Sequence, residues 1–377
     1  MLDAIVVGGG VVGASIAYHL VRSGVHTRLI DRHDVGRATD AGAGILSPET
    51  SGTESDEWYR FGVQAVNYYQ PLIRNLESEQ DKDTGYSMCG LLRVAVSDDE
   101  LELYDETHRV VFERQAQHAR PDTSDLYEVS AEQAKEIFPA IATVQKAFYH
   151  RTGARVDGRL LCDALTRAGV HHGLDILNAS VDRLLIKDGR VIGVVVDGEE
   201  ILAGKVAIAG GAWSTNFGNQ LGVHIPVEPQ RGQIIHLQLE HHDTSDWAVI
   251  NAFRGHYMVA WENGRIVVGA TRETGSGFEA KTTASGIREV LDEALRVAPG
   301  LASAQLLEAR VGLRPYSADR LPILGTVPNF EDVLLATGHG PTGLQLGPYS
   351  GKVVADMMAG QDLIDDLLPF HISRFAL

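Results

Sequence analysis

Two stretches far apart in the chain carry glycines at a spacing suited to phosphate chemistry. Near the N-terminus lies GGGVVG, Gly8 to Gly13, and near the other end lies GHGPTG, Gly338 to Gly343. Both match G-x-G-x-x-G. In that pattern bare backbone approaches a pyrophosphate and the following helix N-terminus supplies positive field. Glycine fills 40 of 377 positions, so the spacing alone is weak evidence and the surroundings decide.

Around Gly8, Gly10, Val11, Val12 and Gly13 the surroundings fit. DAIVVG (3–8) reads as a buried strand. Residues 11–23 read as a helix stopped by Gly24, and HTRLID (26–31) reads as a second strand. Asp31 closes that strand, with Arg32 next to it, about 20 residues beyond the glycines. A carboxylate there can accept hydrogen bonds from an adenosine ribose. The segment holding Gly338, Gly340, Thr342, Gly343 and Leu344 also joins a strand to a helix, but no second strand and acidic residue follow. It reads either as a tight turn or as a helix N-terminus aimed at an anion or an electron-rich ring.

Three further side chains could do chemistry. Arg314, in GLRP, is suited either to clamping a carboxylate or to a structural ion pair. Tyr257, in GHYMVAWENGRIVVGAT, sits on an alternating strand, so His256 should face the other way. His339 lies inside the second glycine turn. The pairs His171–His172 and His241–His242 lack partners at metal-binding spacing and read as surface residues, so no metal is expected.

The elements that must position these groups alternate in the first and last parts of the chain and are strand-rich in between. Helices are expected at 56–79, 98–118, 157–172 and about 282–298. Strands are expected at 90–97, 174–177 and repeatedly through 227–271. KVAIAGGAWS (205–214) reads as a strand entering a glycine turn and then a helix. The pattern predicts an α/β protein. A Rossmann-type dinucleotide domain is built from 1–80, 147–225 and 319–377. An inserted antiparallel-sheet substrate domain takes 81–146 and 226–318. Net charge is −17, which argues against nucleic acid or an anionic membrane as main partners. Cys89 and Cys162 form no pairing pattern, so a reducing, cytoplasmic setting is expected. No signal peptide is expected, and no stretch of about 20 apolar residues is read.

Four segments together resemble the D-amino-acid oxidase family of FAD enzymes, and within it glycine oxidase and the D-amino-acid dehydrogenases. They are IVVGGGVVGASIAYHL with LIDR, GRATDAGAGIL (36–46), AIAGGAWS (207–214), and GLRPYSADRLPILG followed by ATGHGPTGLQLGPYSG. The resemblance implies FAD. It places Arg37, Thr39, Ala43, Gly44 and Ile45 along the ribityl chain and flavin, and Val181, Gly211 and Trp213 near the adenosine. Small residues in 36–46 suit close approach to a flat ring. It also implies that the Gly338–Gly343 turn lies under the flavin pyrimidine, that Arg314 binds the substrate carboxylate, and that Tyr257 touches it. Where some members carry a flavin-bound cysteine this chain has Gly312, so FAD should be non-covalent. Where glycine oxidase has a second arginine this chain has Pro341, which leaves the substrate open.

The implied reaction moves a hydride from substrate Cα to flavin N5, oxidising a small amino acid or secondary amine. A 2-hydroxy-acid oxidase or dehydrogenase on the same scaffold, or a non-catalytic FAD-binding subunit, are the alternatives. O2 or a quinone-linked chain would reoxidise the flavin. The sequence also allows a homo-oligomer.

Overall fold

The computed structural model describes residues 1–118, 120–361 and 367–375. Residues 119, 362–366 and 376–377, which fall in the expected units 81–146 and 319–377, lie outside the described residues. Two large sheets organise the chain, with a small three-stranded sheet joining Ile45–Leu46, Ala154–Val156 and Tyr86–Met88.

The first large sheet is assembled from distant segments. Leu2–Val7 pairs in parallel with Thr27–Asp31 on one side and with Glu199–Ile208 on the other. Asp175–Asn178 extends one flank and Phe330–Thr337 lies parallel to Glu199–Ile208. The strand Leu2–Val7 is apolar along most of its length because helices cover the sheet. Helix Val11–Arg22 packs Ile16, Ala17 and Leu20 with Leu346, Val353 and Val354 of helix Gly343–Met358. Both helices follow a strand of this sheet through a glycine turn, so their N-termini emerge at the same edge.

The second large sheet runs in the order Gln305–Ser317, Val227–Gln238, Arg265–Gly269, Tyr257–Ala260, Val249–Ala252, Leu91–Ala95, Lys146–His150, Leu126–Val129. One face buries Ile235, Leu237 and Val268 against Val290, Ala294 and Val297 of helix Ala284–Val297. The opposite face packs Leu91, Ile234 and Val267 against Ala41, Ala43 and Ile45. The loop after Thr27–Asp31 is therefore clamped between the two sheets. This sheet is not wholly antiparallel as expected. Val249–Ala252 and Leu91–Ala95 run parallel, because the chain returns to Leu91–Ala95 through an excursion too long for a hairpin.

Helix 56–79 has the expected bounds, begun by the Ser55 side chain accepting from the Trp58 N–H. Other elements differ at their ends. The strand expected at 90–97 is Leu91–Ala95, and Ser97 and Glu100 form a capping box that starts a 3-10 turn before helix Leu101–His118. The helices expected at 157–172 and 282–298 are Gly158–His171 and Ala284–Val297, opened by the side chains of Asp157 and Thr283. The strand expected at 174–177 is Asp175–Asn178. After AIAGG the chain forms the 3-10 segment Gly211–Phe217 and a single helical turn, not the expected helix. The strand Lys146–His150 joins the second sheet and spans the expected cut at 147.

Gly44 shows how tightly the clamped loop is seated. Its φ is +73°, and a Cβ there would lie 1.7 Å from the Val156 carbonyl oxygen. Gly24 also has positive φ, +81°, but open space around it. Gly44→Ala should therefore lower the thermal midpoint well beyond Gly24→Ala, which carries only the left-handed backbone penalty of about 1 kcal/mol. Equal losses in a thermal melt would show that the Val156 contact does not constrain the loop.

Candidate active site

A cavity of about 650 Å3 lies between the sheets and reaches both glycine turns. At the first turn, Gly8 has φ +103° and a Cβ would sit 2.6 Å from the Ala209 carbonyl oxygen. A Cβ on Gly13 would sit 1.8 Å from the Gly8 oxygen. Gly13 thus seats the helix on the strand and does not itself line the cavity. At Gly10 a Cβ would meet only Thr39 Oγ1, at 3.2 Å, so the position is left bare towards the cavity. The Val11 N–H donates to that hydroxyl at 3.0 Å.

Asp31 lines the same end. Its Oδ2 accepts from Arg37 Nη1 at 3.2 Å and lies 3.0 Å from His33 Nδ1. Arg37 Nη2 donates to the Gly9 carbonyl at 2.7 Å, tying the loop to the turn. The Arg32 guanidinium lies 6.0 Å from the Trp213 ring centroid, and Val181 and Gly211 line the wall beside them. Further in, Val12, Ala43, Gly44, Ile45 and Leu344 form the walls.

The second turn supplies Gly340, Thr342 and Gly343 to the lining, whereas Gly338 is set back behind it. Gly338 serves the turn through its φ of +75°. His339 also lines the cavity, but its Nε2 lies 2.9 Å from Ser350 Oγ in the following helix. Burial lowers its pKa to about 4, so the ring is neutral and pins the turn to the helix.

Arg314 and Tyr257 meet at this end. The strand Gln305–Ser317 presents Arg314, whose Nη1 donates to the Thr271 carbonyl at 3.0 Å. Gly232 on the next strand leaves room for it, since a Cβ there would be 2.3 Å from Arg314 Nη2. Burial pulls the guanidinium below its ordinary pKa, while the facing Tyr257 phenol raises it. Burial likewise raises Tyr257, and Arg314 opposes that. His256 turns away, with its Nε2 3.5 Å from Glu289. Neither Cys89 nor Cys162 lines the cavity; the Cys162 thiol donates to the Gly9 carbonyl at 3.2 Å.

Sequence reasoning missed several lining residues, chiefly Arg93, Asn251, Phe253 and Arg272. Arg93 is the one charge in an otherwise apolar strand, LLRVA. That was the available signal, but only strand register shows which way it faces.

The family model described as FAD dependent oxidoreductase matches residues 3–357. The crystal structure of iminodiacetate oxidase from Chelativorans sp. BNC1 aligns with a TM-score of 0.93 at 36% identity, covering 98% of each chain. Glycine oxidase of Pseudomonas aeruginosa is 32% identical over 372 residues, 97% of both chains. The crystal structure of glycine oxidase from Geobacillus kaustophilus aligns with a TM-score of 0.89 at 25% identity, covering 100% of this chain and 99% of that one.

Four buried imidazoles, His19, His150, His236 and His339, are lowered by burial from 6.5 to about 4. The unfolded chain binds protons at these sites first. Their contribution to stability is complete above about pH 6.5 and is lost as pH falls through 4. Glu49, raised by burial to about 7, acts in the opposite sense, losing its contribution as pH rises through 7. The thermal midpoint should fall between pH 6.5 and 4, and His339→Gln should flatten part of that fall. A midpoint level across this range would contradict the buried neutral imidazoles.

Proposed function

The chain belongs to the FAD dependent oxidoreductase family, and from that premise we propose that it oxidises the C–N bond of a small amino acid or secondary amine carrying a carboxylate. The product is an imine, which water hydrolyses to an oxo acid and an amine. The observation that carries this reading is the convergence of Arg314 and Tyr257 at one end of the cavity. A guanidinium fixed by the Thr271 carbonyl, with a phenol beside it, suits a planar carboxylate. The relatives named for glycine and iminodiacetate act on small carboxylated amines, which fits that clamp.

The lining fits FAD. Bare backbone at Gly8 and Gly10, and the N-terminus of helix Val11–Arg22, would hold the pyrophosphate. Asp31 would take the ribose, and Arg32, Val181 and Trp213 the adenosine. Ala43, Gly44 and Ile45 would border the isoalloxazine, with Gly340 to Gly343 at its pyrimidine end. When bound, FAD supplies a two-electron acceptor for the hydride of substrate Cα.

The protein's own residues do the rest. Arg314 and Tyr257 fix the carboxylate and so orient Cα. The Arg314 guanidinium, by pairing with the carboxylate, also lowers the pKa of the neighbouring substrate ammonium, favouring the neutral amine whose lone pair assists C–H cleavage. His339, neutral and bound to Ser350, positions the second turn; it is not placed to carry a proton. The N-terminus of helix Gly343–Met358 contributes a fixed positive field at the reacting end.

Anaerobic addition of glycine or sarcosine should bleach the flavin absorbance, and lactate or glycolate should not. Bleaching by hydroxy acids alone would favour the 2-hydroxy-acid reading, and no bleaching with a co-purifying partner chain would favour the non-catalytic one. Admitting air then separates an O2-reactive enzyme from one needing a quinone-linked acceptor. Arg314→Ala should raise KM for carboxylated amines about 100-fold with the yellow colour retained; an unchanged KM removes Arg314 from the clamp. Acid precipitation should leave the colour in the supernatant, since FAD is held without a covalent bond. Colour in the pellet would overturn that.

A further inference from the structure

Arg93 lines the cavity beside the clamp and has no partner of its own. Among the described residues its guanidinium makes no hydrogen bond and no ion pair, and its Nε is fully buried and unsatisfied. Its Cζ lies 4.5 Å from the Phe253 ring centroid, which supports the side chain without neutralising it. Other arginines at this end are engaged. Arg314 donates to Thr271, and Arg272, exposed at the rim, donates to the Gly255 carbonyl at 2.6 Å. Among the described residues no lining carboxylate pairs with Arg93, and Glu54 is taken by Arg320 at 2.8 Å.

Register decides where Arg93 points. Arg93 pairs with Asn251, Asn251 with Tyr257, and Tyr257 with Gly269. Residues opposite one another on adjacent strands project from the same face. Arg93, Asn251 and Tyr257 therefore form a polar row on the cavity face, Arg93 about 10 Å along the sheet from Tyr257. Arg314 reaches Tyr257 from the other flank, over Gly232. Arg314 thus borders Tyr257 directly, and Arg93 stands two strands away on the same face with the Asn251 amide between them. A buried cation without a counter-charge is costly, and a site built this way is completed by an anion.

We propose that Arg93 receives a second carboxylate of the substrate, making the preferred class an amine flanked by two carboxylates, one on Arg314 and Tyr257 and the other on Arg93. This rests on the C–N oxidation reading and names the substrate class within it. Asn251 lies where it can hydrogen-bond the connecting amine.

The test uses the FAD-loaded enzyme and two ligand pairs. Thiodiacetate and (methylthio)acetate cannot be oxidised at nitrogen, and their affinities are read by calorimetry. Iminodiacetate and sarcosine are compared by kcat/KM. Wild type should bind thiodiacetate at least about tenfold tighter than (methylthio)acetate, a preference that Arg93→Met reduces to within about twofold. The iminodiacetate-to-sarcosine ratio of kcat/KM should fall about 100-fold in Arg93→Met and recover in part in Arg93→Lys. A ratio and a binding preference unchanged in Arg93→Met would overturn the proposal, as would a wild type that favours the monocarboxylates. Should Arg93→Met not fold, Arg93→Lys and the wild-type preferences still decide. If no amine bleaches the flavin, the oxidation reading fails, and calorimetry with thiodiacetate still reads Arg93 by itself.

Discussion

The contact between Gly13 and the Gly8 carbonyl fixes the rest of the site. It lets helix Val11–Arg22 sit so close to the first strand that the helix N-terminus opens directly onto the cavity. Any side chain at Gly13 would push the helix off the sheet. That shift would displace Val11 from Thr39, and with Thr39 the loop held by Arg37 to Asp31 and Gly9. The same loop packs Ala43 and Ile45 on the second sheet. One backbone contact is thereby transmitted across both layers.

The second turn uses similar parts for a different end. Helix Gly343–Met358 also follows a parallel strand, and its N-terminus meets the same cavity. Its turn is held by a neutral histidine bound to Ser350 rather than by a strand–helix glycine contact. The cavity is therefore bordered by two positive helix ends and, at the substrate end, by guanidinium groups. Its field favours anions along its length.

Much of this was legible in the sequence because it is local. Strand, glycine turn, helix and Asp31 lie within one short stretch, and helix 56–79 is marked by its own cap and periodicity. What was not legible depends on register between strands far apart in the chain. Arg93 looks like an ordinary strand arginine until Asn251 and Tyr257 are laid beside it. The parallel pairing of Val249–Ala252 with Leu91–Ala95 is equally invisible, since nothing local distinguishes it from a hairpin neighbour. Gly338 and Gly13 show a converse limit. They belong to the glycine patterns, yet they shape backbone behind the cavity instead of lining it.

The way the first sheet is stitched together also governs how the chain comes into being. Leu2–Val7 pairs with Ala203–Ile208, which in turn pairs with Val333–Leu335. On the ribosome the first strand emerges with one edge bare until its partner is made about 200 residues later, an interval of roughly 10–40 s at ordinary elongation rates. The parallel strand Phe330–Thr337 arrives later still. Burial of the apolar first strand is thus delayed, and contacts of such long sequence separation form slowly. Newborn chains would spend that interval with a sticky edge, the condition under which holding by a chaperone matters most.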